Sequence, residues 1–122
     1  MVTNVDESMF FEMSEDNYSR PAQIPIRRDQ FIRLTTNSPT EEGDWFIFCH
    51  PSHFLVYSKT TKYCIFDATY ISFSRIADDP SENNEIVAVV TEIKINQNSA
   101  QRPALEKGDF GVLADLISGR AD

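Results

Sequence analysis

Both cysteines and both histidines of the chain fall within residues 48–64, in the stretch FCHPSHFLVYSKTTKYC. A tight turn would bring Cys49, His50 and His53 together, and thiolate and imidazole groups are ligands that zinc prefers. The same residues could instead supply a catalytic thiol and its base. The flanking aromatic and β-branched runs favour a third interpretation, in which the cysteines pack within strands and the histidines occupy a turn.

The expected strand arrangement argues against a disulfide and against zinc. Residues 45–66 predict an antiparallel meander with turns at HPSH and KTTK. In that meander Cys49 and Cys64 lie on opposite faces and about 9.6 Å apart, whereas a disulfide needs Cα atoms within about 7 Å. Cys64 also lies far from the HPSH turn, which leaves Asp67 or water as the fourth zinc ligand. We therefore predict no metal and no cofactor.

Asp67 stands in the middle of an apolar strand, near the HPSH turn. Its carboxylate either accepts hydrogen bonds from loop backbone or orients His53, and we favour the backbone. Burial in strands raises the pKa of both thiols, which disfavours a catalytic cysteine. The prediction is that the protein is not an enzyme. An enzyme or metal site around Cys49, His50, His53 and Asp67 is kept as the second alternative.

The remaining elements must position this segment. Residues 85–95 predict a further strand, and Pro25 marks an edge strand or extended lead-in before a strand at 30–36. Residues 4–13 are either a short helix or an edge strand. Residues 109–119 predict an amphipathic helix, with Asp109 as N-cap, Gly119 after its end and an apolar face of Phe110, Leu113, Leu116 and Ile117. We predict one α+β domain over 1–122, an antiparallel sheet of four to six strands, mostly a meander, with this helix packed on it.

Both faces of the predicted meander are apolar, although an antiparallel sheet with one wet face would alternate polar and apolar residues. One face carries Trp45, Ile47, Val56 and Ile65. The other carries Phe46, Phe48, Leu55 and Phe66. The C-terminal helix would cover one face. The second face is covered by the N-terminal segment, by a second copy of the chain or by a partner protein.

The charge of the chain excludes some classes of ligand. Net charge is −8, from 19 acidic and 11 basic residues, so direct binding of nucleic acid or of an anionic membrane is disfavoured. No apolar run approaches the roughly 20 residues of a membrane span, and no signal peptide pattern is present. Two cysteines are too few for a disulfide scaffold. We expect a reducing, cytoplasmic location, in the host cell if the protein is viral.

Acidic residues cluster in two loops that flank the meander, and they are the predicted partner-binding residues: Glu41, Glu42, Asp44, Asp78, Asp79 and Glu82. An acidic surface accelerates encounter with basic proteins. The leading hypothesis is a small acidic protein-binding module that inhibits or neutralises a basic, nucleic-acid-handling partner, as an immunity or anti-defence protein would. The alternative is a structural or assembly subunit that uses an apolar sheet face as an oligomer interface, for example in a homodimer.

Overall fold

The computed structural model describes residues 5–37, 39–73, 85–103 and 108–118, with only the backbone described for Asp109, Phe110 and Ser118. The described residues form a short 3-10 helix (Glu7–Met9), six strands and two α-helices. The strands are β1 (Asn17–Arg27), β2 (Thr40–Glu42), β3 (Trp45–His50), β4 (His53–Ser58), β5 (Cys64–Ser72) and β6 (Ile86–Asn96), and the helices are α1 (Arg28–Thr36) and α2 (Asp109–Ser118). The strands make one antiparallel sheet in the order β1-β6-β5-β4-β3-β2, which confirms the predicted α+β fold.

The hairpin formed by β3 and β4 has the register that a four-residue turn at HPSH predicts. Cys49 lies opposite Phe54 and His50 opposite His53. The turn between them places Ser52 at a φ of 73°, a backbone conformation that side chains rarely adopt outside turns. The carbonyl of Ser52 accepts a 2.9 Å hydrogen bond from the backbone N–H of Tyr70, and this bond ties the turn to β5.

A four-residue turn at KTTK predicts that Phe54 pairs with Asp67, but the pairing of β4 with β5 departs from this register by one residue. Tyr57 pairs with Cys64, as expected, but Val56 pairs with Phe66, so Ile65 is the extra residue of a β-bulge. A one-residue shift moves every later side chain to the other face of the sheet. The prediction for Phe66 was therefore wrong: its ring packs 5.7 Å from that of Trp45, on the opposite face from the one predicted.

Both α-helices cover the same side of the sheet, here called the helical face. Leu34 of α1 is fully buried there, and so are Leu113, Leu116 and Ile117 of α2. Each buried side chain of this size stabilises the fold by about 1.5–3 kcal/mol. The predicted apolar stripe of α2 is confirmed at these three positions. The helix begins one residue earlier than expected, because the N–H of Val112 donates a hydrogen bond to the carbonyl of Gly108 and not to that of a later residue.

The strand predicted at residues 30–36 was wrong, because this segment is helix α1. Phe31 and Leu34 are three residues apart and share one side of the helix, where Phe31 packs edge-on to Tyr70 at 5.7 Å. Ile32, on the other side, is exposed. The chain must cross the sheet from β1 at one edge to β2 at the other, and α1 makes that crossing. Among the described residues there is no helix with the length and apolar character needed to cross a membrane.

The other side of the meander, here called the N-terminal face, is covered by the N-terminal segment (residues 5–16). The ring of Phe10 lies 5.6 Å from that of Phe46, 5.9 Å from that of Phe48 and 5.0 Å from that of Tyr57. Backbone hydrogen bonds join Phe11 to strand β5 and its preceding turn. The sequence left this face to the N-terminal segment, a second copy of the chain or a partner protein, and the structure shows the N-terminal segment there.

Candidate functional site

A pocket of about 540 Å³ lies between the N-terminal segment and the sheet, here called the N-terminal pocket. Its lining residues come from the N-terminal segment and from β1, β4, β5 and β6, and they include Glu7, His53, Tyr57, Asp67 and Lys94. A larger depression of about 1020 Å³ lies along β1 and β6. Among the described residues that line it, Arg20 is the one that is ionisable. The N-terminal pocket is the candidate site because acidic, basic and aromatic side chains converge there.

Glu7 is held at the edge of the pocket by two side chains of the sheet. The Tyr57 hydroxyl donates a 2.6 Å hydrogen bond to Oε2 of Glu7, and Nε2 of His50 lies 2.9 Å from its Oε1. Asp6 caps the 3-10 helix that carries Glu7 by accepting a hydrogen bond from the N–H of Ser8. Burial, and secondarily the hydrogen bond to Glu7, raises the pKa of Tyr57 far above its usual range, so the phenol stays protonated as a donor.

His53 and Asp67 form the second polar contact of the site. Nδ1 of His53 lies 3.0 Å from Oδ1 of Asp67. The prediction that Asp67 bonds to loop backbone was therefore wrong, and the other interpretation, that it orients His53, describes the observed contact. The physical reason is the bulge at Ile65, which places Asp67 opposite Leu55 and on the N-terminal face with His53. The rings of His50 and His53 are 5.3 Å apart between centroids.

An imidazole oriented by a carboxylate is the arrangement of a general base, but a base needs a reacting group within reach. The Ser52 hydroxyl makes no hydrogen bond to either imidazole. Cys64 lines the pocket, yet burial, and secondarily the charge of Asp67, raises the pKa of its thiol to about 12. Within the described residues, the histidine–aspartate pair thus has no activated nucleophile beside it.

Cys49 lies on the other side of the sheet, so the four residues of the enzyme or metal alternative do not form one site. Its Sγ is 3.8 Å from the hydroxyl of Tyr70 on the helical face, where burial raises the pKa of the thiol. Cys49 and Cys64 lie on opposite faces of the sheet, and neither is part of a disulfide. No group of three His, Cys, Asp or Glu side chains in the described part of the chain is placed to hold a metal ion.

The six predicted partner-binding residues do not share one environment. Glu41 pairs with Lys59 and Glu42 with Arg33, while Asp44 is exposed in the turn between β2 and β3. Three of the six lie outside the described residues: Asp78, Asp79 and Glu82. Two of the described carboxylates are thus already matched by a cation, and the role of all six in binding stays a prediction.

The sequence reasoning missed Glu7, Glu12 and Lys94 as residues of the pocket. Glu7 and Glu12 belong to a segment whose conformation was left open between helix and strand. Lys94 is a polar residue of β6, in register with Asp67. One signal was available: residues 1–19 contain five acidic side chains, no Lys or Arg, and an apolar FF pair that needs a surface to pack on.

No protein-family model matches the chain, and no curated protein or solved structure shows significant similarity to it. The functional argument for this protein therefore rests on the geometry and the charge of its own residues.

Proposed function

We propose that this chain is a small acidic protein-binding module that neutralises a basic, nucleic-acid-handling partner, in the manner of an immunity or anti-defence protein. The observation that carries the proposal is the exposed surface of the N-terminal segment. Here Met9 and Phe11 are 59% and 55% exposed, and the carboxylates of Glu12, Glu15 and Asp16 lie beside them in sequence on an exposed surface.

This surface has the two components that protein interfaces use. Methionine and aromatic side chains are enriched at the centres of interfaces, and carboxylates around them favour a basic partner and accelerate its approach. The segment carries no lysine or arginine of its own to weaken that attraction.

The same surface is already ordered before any partner binds. The N–H of Phe11 donates to the carbonyl of Lys62 at 2.8 Å, and its own carbonyl accepts from the N–H of Cys64 at 2.9 Å. The ring of Phe11 also lies 4.9 Å from that of Tyr63. A preorganised surface loses less conformational entropy on binding, so more of the contact energy appears as affinity.

The acidic residues of β2 and of the turn that follows it are a weaker candidate for the same role. A partner that engages Glu41 or Glu42 must compete with Lys59 or Arg33. Asp44 is exposed, and no cation of the described residues forms an ion pair with it. We therefore expect the N-terminal segment to contribute more to the affinity than this turn does.

The test is a pair of double charge reversals that are matched in net charge. Glu15→Lys with Asp16→Lys changes the N-terminal segment, and Glu41→Lys with Asp44→Lys changes the turn. Each pair replaces two negative charges by two positive ones. A basic protein captured by the wild-type chain from cells that carry its gene, identified by mass spectrometry and purified, is then bound to each variant in a biolayer experiment at low and at physiological salt.

The expected result is weaker binding for both pairs, with the larger loss for the N-terminal pair, and a steep fall of the association rate with salt, because the Debye length is only about 8 Å at physiological ionic strength. Binding that ignores both salt and charge reversal would contradict the proposal. So would a chain whose sole partner is another copy of itself.

The alternative of an assembly subunit is favoured by one other observation. Ile71, Phe73 and Ile86 are 54%, 42% and 38% exposed at the same end of β5 and β6. Large apolar side chains grouped at a surface are typical of an interface between copies. Light scattering after gel filtration distinguishes the two functions: a monomer whose mass does not change when Ile71→Ser and Phe73→Ser are introduced speaks against the oligomer.

A further inference from the structure

The N-terminal pocket combines apolar walls with charged groups, and this combination restricts the class of ligand. Phe10 and Met13 contribute apolar surface from the N-terminal segment, and Leu55 contributes it from β4. The volume of about 540 Å³ lies within the range of pockets that bind small ligands, and it is sufficient for a long side chain.

The charged groups of the pocket make it negative. Its lining includes three carboxylates, Glu7, Glu12 and Asp67, against one ammonium group, Lys94. An anionic ligand would face this excess of carboxylates at short range, where like charges repel strongly. A metal ion is not favoured either, because no three ligating side chains of the described residues converge.

The groups of the pocket that can still form hydrogen bonds are acceptors. Asp67 uses Oδ1 to bind His53, and its Oδ2 accepts no hydrogen bond from the described residues. The carboxylate of Glu12 also accepts none from them. A ligand that fits this pocket is therefore rich in donors, positively charged and partly apolar.

We propose that the N-terminal pocket binds an arginine side chain of the basic partner, an inference that rests on the proposed function. A guanidinium group has five N–H donors and no acceptor, and it forms paired hydrogen bonds with carboxylates. Its aliphatic stem packs along Met13 and Leu55. A lysine ammonium is compact and does not reproduce the paired geometry.

Lys94 works against this ligand. It lies in register with Asp67 on the neighbouring strand, where it adds a positive charge to the pocket. Removal of that charge strengthens the attraction for a guanidinium group, and this gives the proposal a variant that should gain affinity. A merely structural role for the pocket predicts no such gain.

The first experiment is a titration of the ¹⁵N-labelled chain, followed by NMR, with a blocked Gly-Arg-Gly peptide. The matched ligand is the same peptide with citrulline, which keeps the shape of arginine and lacks its charge. The arginine peptide should shift the amide signals of Leu55, Tyr57 and Asp67, and the citrulline peptide should bind at least tenfold more weakly. Equal shifts with both peptides, shifts spread evenly over the acidic surface, or no shift with arginine would each overturn the proposal. A Gly-Lys-Gly peptide that binds as tightly as the arginine peptide would overturn its specificity for arginine.

The second experiment repeats the titration with four variants. Asp67→Asn and Glu12→Gln should each weaken binding several-fold, and Lys94→Gln should tighten it several-fold. Asp29→Asn removes the same charge from helix α1 on the helical face and should leave the affinity unchanged. Glu12 is exposed and makes no hydrogen bond within the described residues, so Glu12→Gln keeps the test decisive if Asp67→Asn fails to fold.

The outcomes separate this inference from the proposed function. If the purified basic partner still binds Glu12→Gln and Asp67→Asn as tightly as wild type, but loses affinity for the Glu15→Lys, Asp16→Lys pair, the arginine pocket is wrong and the acidic binding surface stands. If no basic partner binds the wild-type chain while the arginine peptide still shifts the pocket signals, the proposed function fails and the pocket has another arginine-bearing ligand.

Discussion

The two faces of the sheet are closed by different kinds of contact. On the helical face, fully buried side chains such as Leu34 and Leu116 pack against the strands. On the N-terminal face, the covering ring of Phe10 is only half-buried, and Glu7 is held by hydrogen bonds from Tyr57 and His50. The first face is stabilised mainly by exclusion of water, and the second depends in addition on the protonation states of its polar groups.

This difference indicates which part of the molecule supports folding and which part is available for binding. Regions with few fully buried apolar contacts open at lower free energy than the core does, and binding surfaces are drawn from such regions. The N-terminal face carries both the pocket and the exposed acidic segment. The helical face supplies the rigid support on which they are placed.

The largest effect is expected from a deletion on the helical face. Phe54 is fully buried and stacks on Tyr70 at 4.4 Å between ring centroids. Phe54→Ala should lower the free energy of unfolding by about 3–5 kcal/mol, because it removes a large buried side chain and leaves a cavity. Urea denaturation followed by tryptophan fluorescence measures the change. A loss under about 1 kcal/mol would mean that the helical face is not the main source of stability.

A smaller effect is expected from the matching deletion on the N-terminal face. Phe10→Ala should lower the free energy of unfolding by about 1–2 kcal/mol, since this ring is only half-buried. Met9→Ala, at an exposed neighbouring position, is the control and should change stability by less than about 0.5 kcal/mol. If Phe10→Ala costs as much as Phe54→Ala, the distinction between the two faces fails.

The pH dependence of stability should also report on the N-terminal face. The thiol of Cys64 has an ordinary pKa of 9.0, which applies to the unfolded chain, and burial raises the pKa in the folded protein to about 12. The unfolded state therefore loses this proton first, so the contribution is complete below pH 9 and is lost as pH rises towards 12. Urea midpoints should fall over this range. Cys49, Tyr57 and Tyr70 also have raised pKa values, and they contribute to the wild type and the variant alike. The urea midpoint of Cys64→Val should therefore fall less steeply with pH than that of the wild type between pH 9 and 10, and an unchanged slope would contradict the assignment.

The two cysteines should also differ in the rate at which they react with a thiol reagent. Cys64 is almost fully buried and should not react with a thiol reagent until the chain is unfolded. Cys49 is half-buried with a raised pKa, and it should react slowly, at a rate that increases with pH. Mass spectrometry of the labelled peptides distinguishes them. A fast-reacting Cys64 in the native protein would show that the N-terminal segment does not seal its face.

The smallest effects are expected at the ion pairs of β2. Glu42 and Arg33 are both largely buried, and Arg33 also reaches Gln30 and the carbonyl of Leu116. Glu42→Gln should cost about 1 kcal/mol, whereas Glu41→Gln should cost less than about 0.5 kcal/mol, because Glu41 is mostly exposed. The two variants have equal charge, so a melting experiment compares them directly. A larger loss for Glu41→Gln would reverse this order.

The features that could be predicted from the sequence are those set by local patterns. Alternating apolar residues and the HPSH turn define the hairpin of β3 and β4, and its register follows from them. The apolar stripe of Leu113, Leu116 and Ile117 likewise indicates helix α2. In both cases the period of the side chains agrees with the final packing, so the pattern is sufficient.

The features that could not be predicted depend on distant parts of the chain. No local signal marks Ile65 as an extra residue, because its type suits an ordinary strand, yet that insertion decides which face Asp67 shares with His53. Residues 30–36 favour a strand by composition, but they must cross the sheet, and the tertiary requirement outweighs a weak propensity. The pocket could not be predicted because part of its lining comes from the N-terminal segment, whose conformation the sequence left open.

The position of β1 has a consequence for the order in which the protein folds. Its partner in the sheet is β6, and Asn17 pairs with Asn96. Contacts between residues so distant in sequence form slowly. The hairpins from β3 to β5 involve short loops and are expected to form first. During synthesis on the ribosome, β1 therefore emerges long before its partner and stays unpaired in the meantime. Pro21 and Pro25 within it cannot donate ladder hydrogen bonds, and this limits mispairing with other chains until β6 arrives.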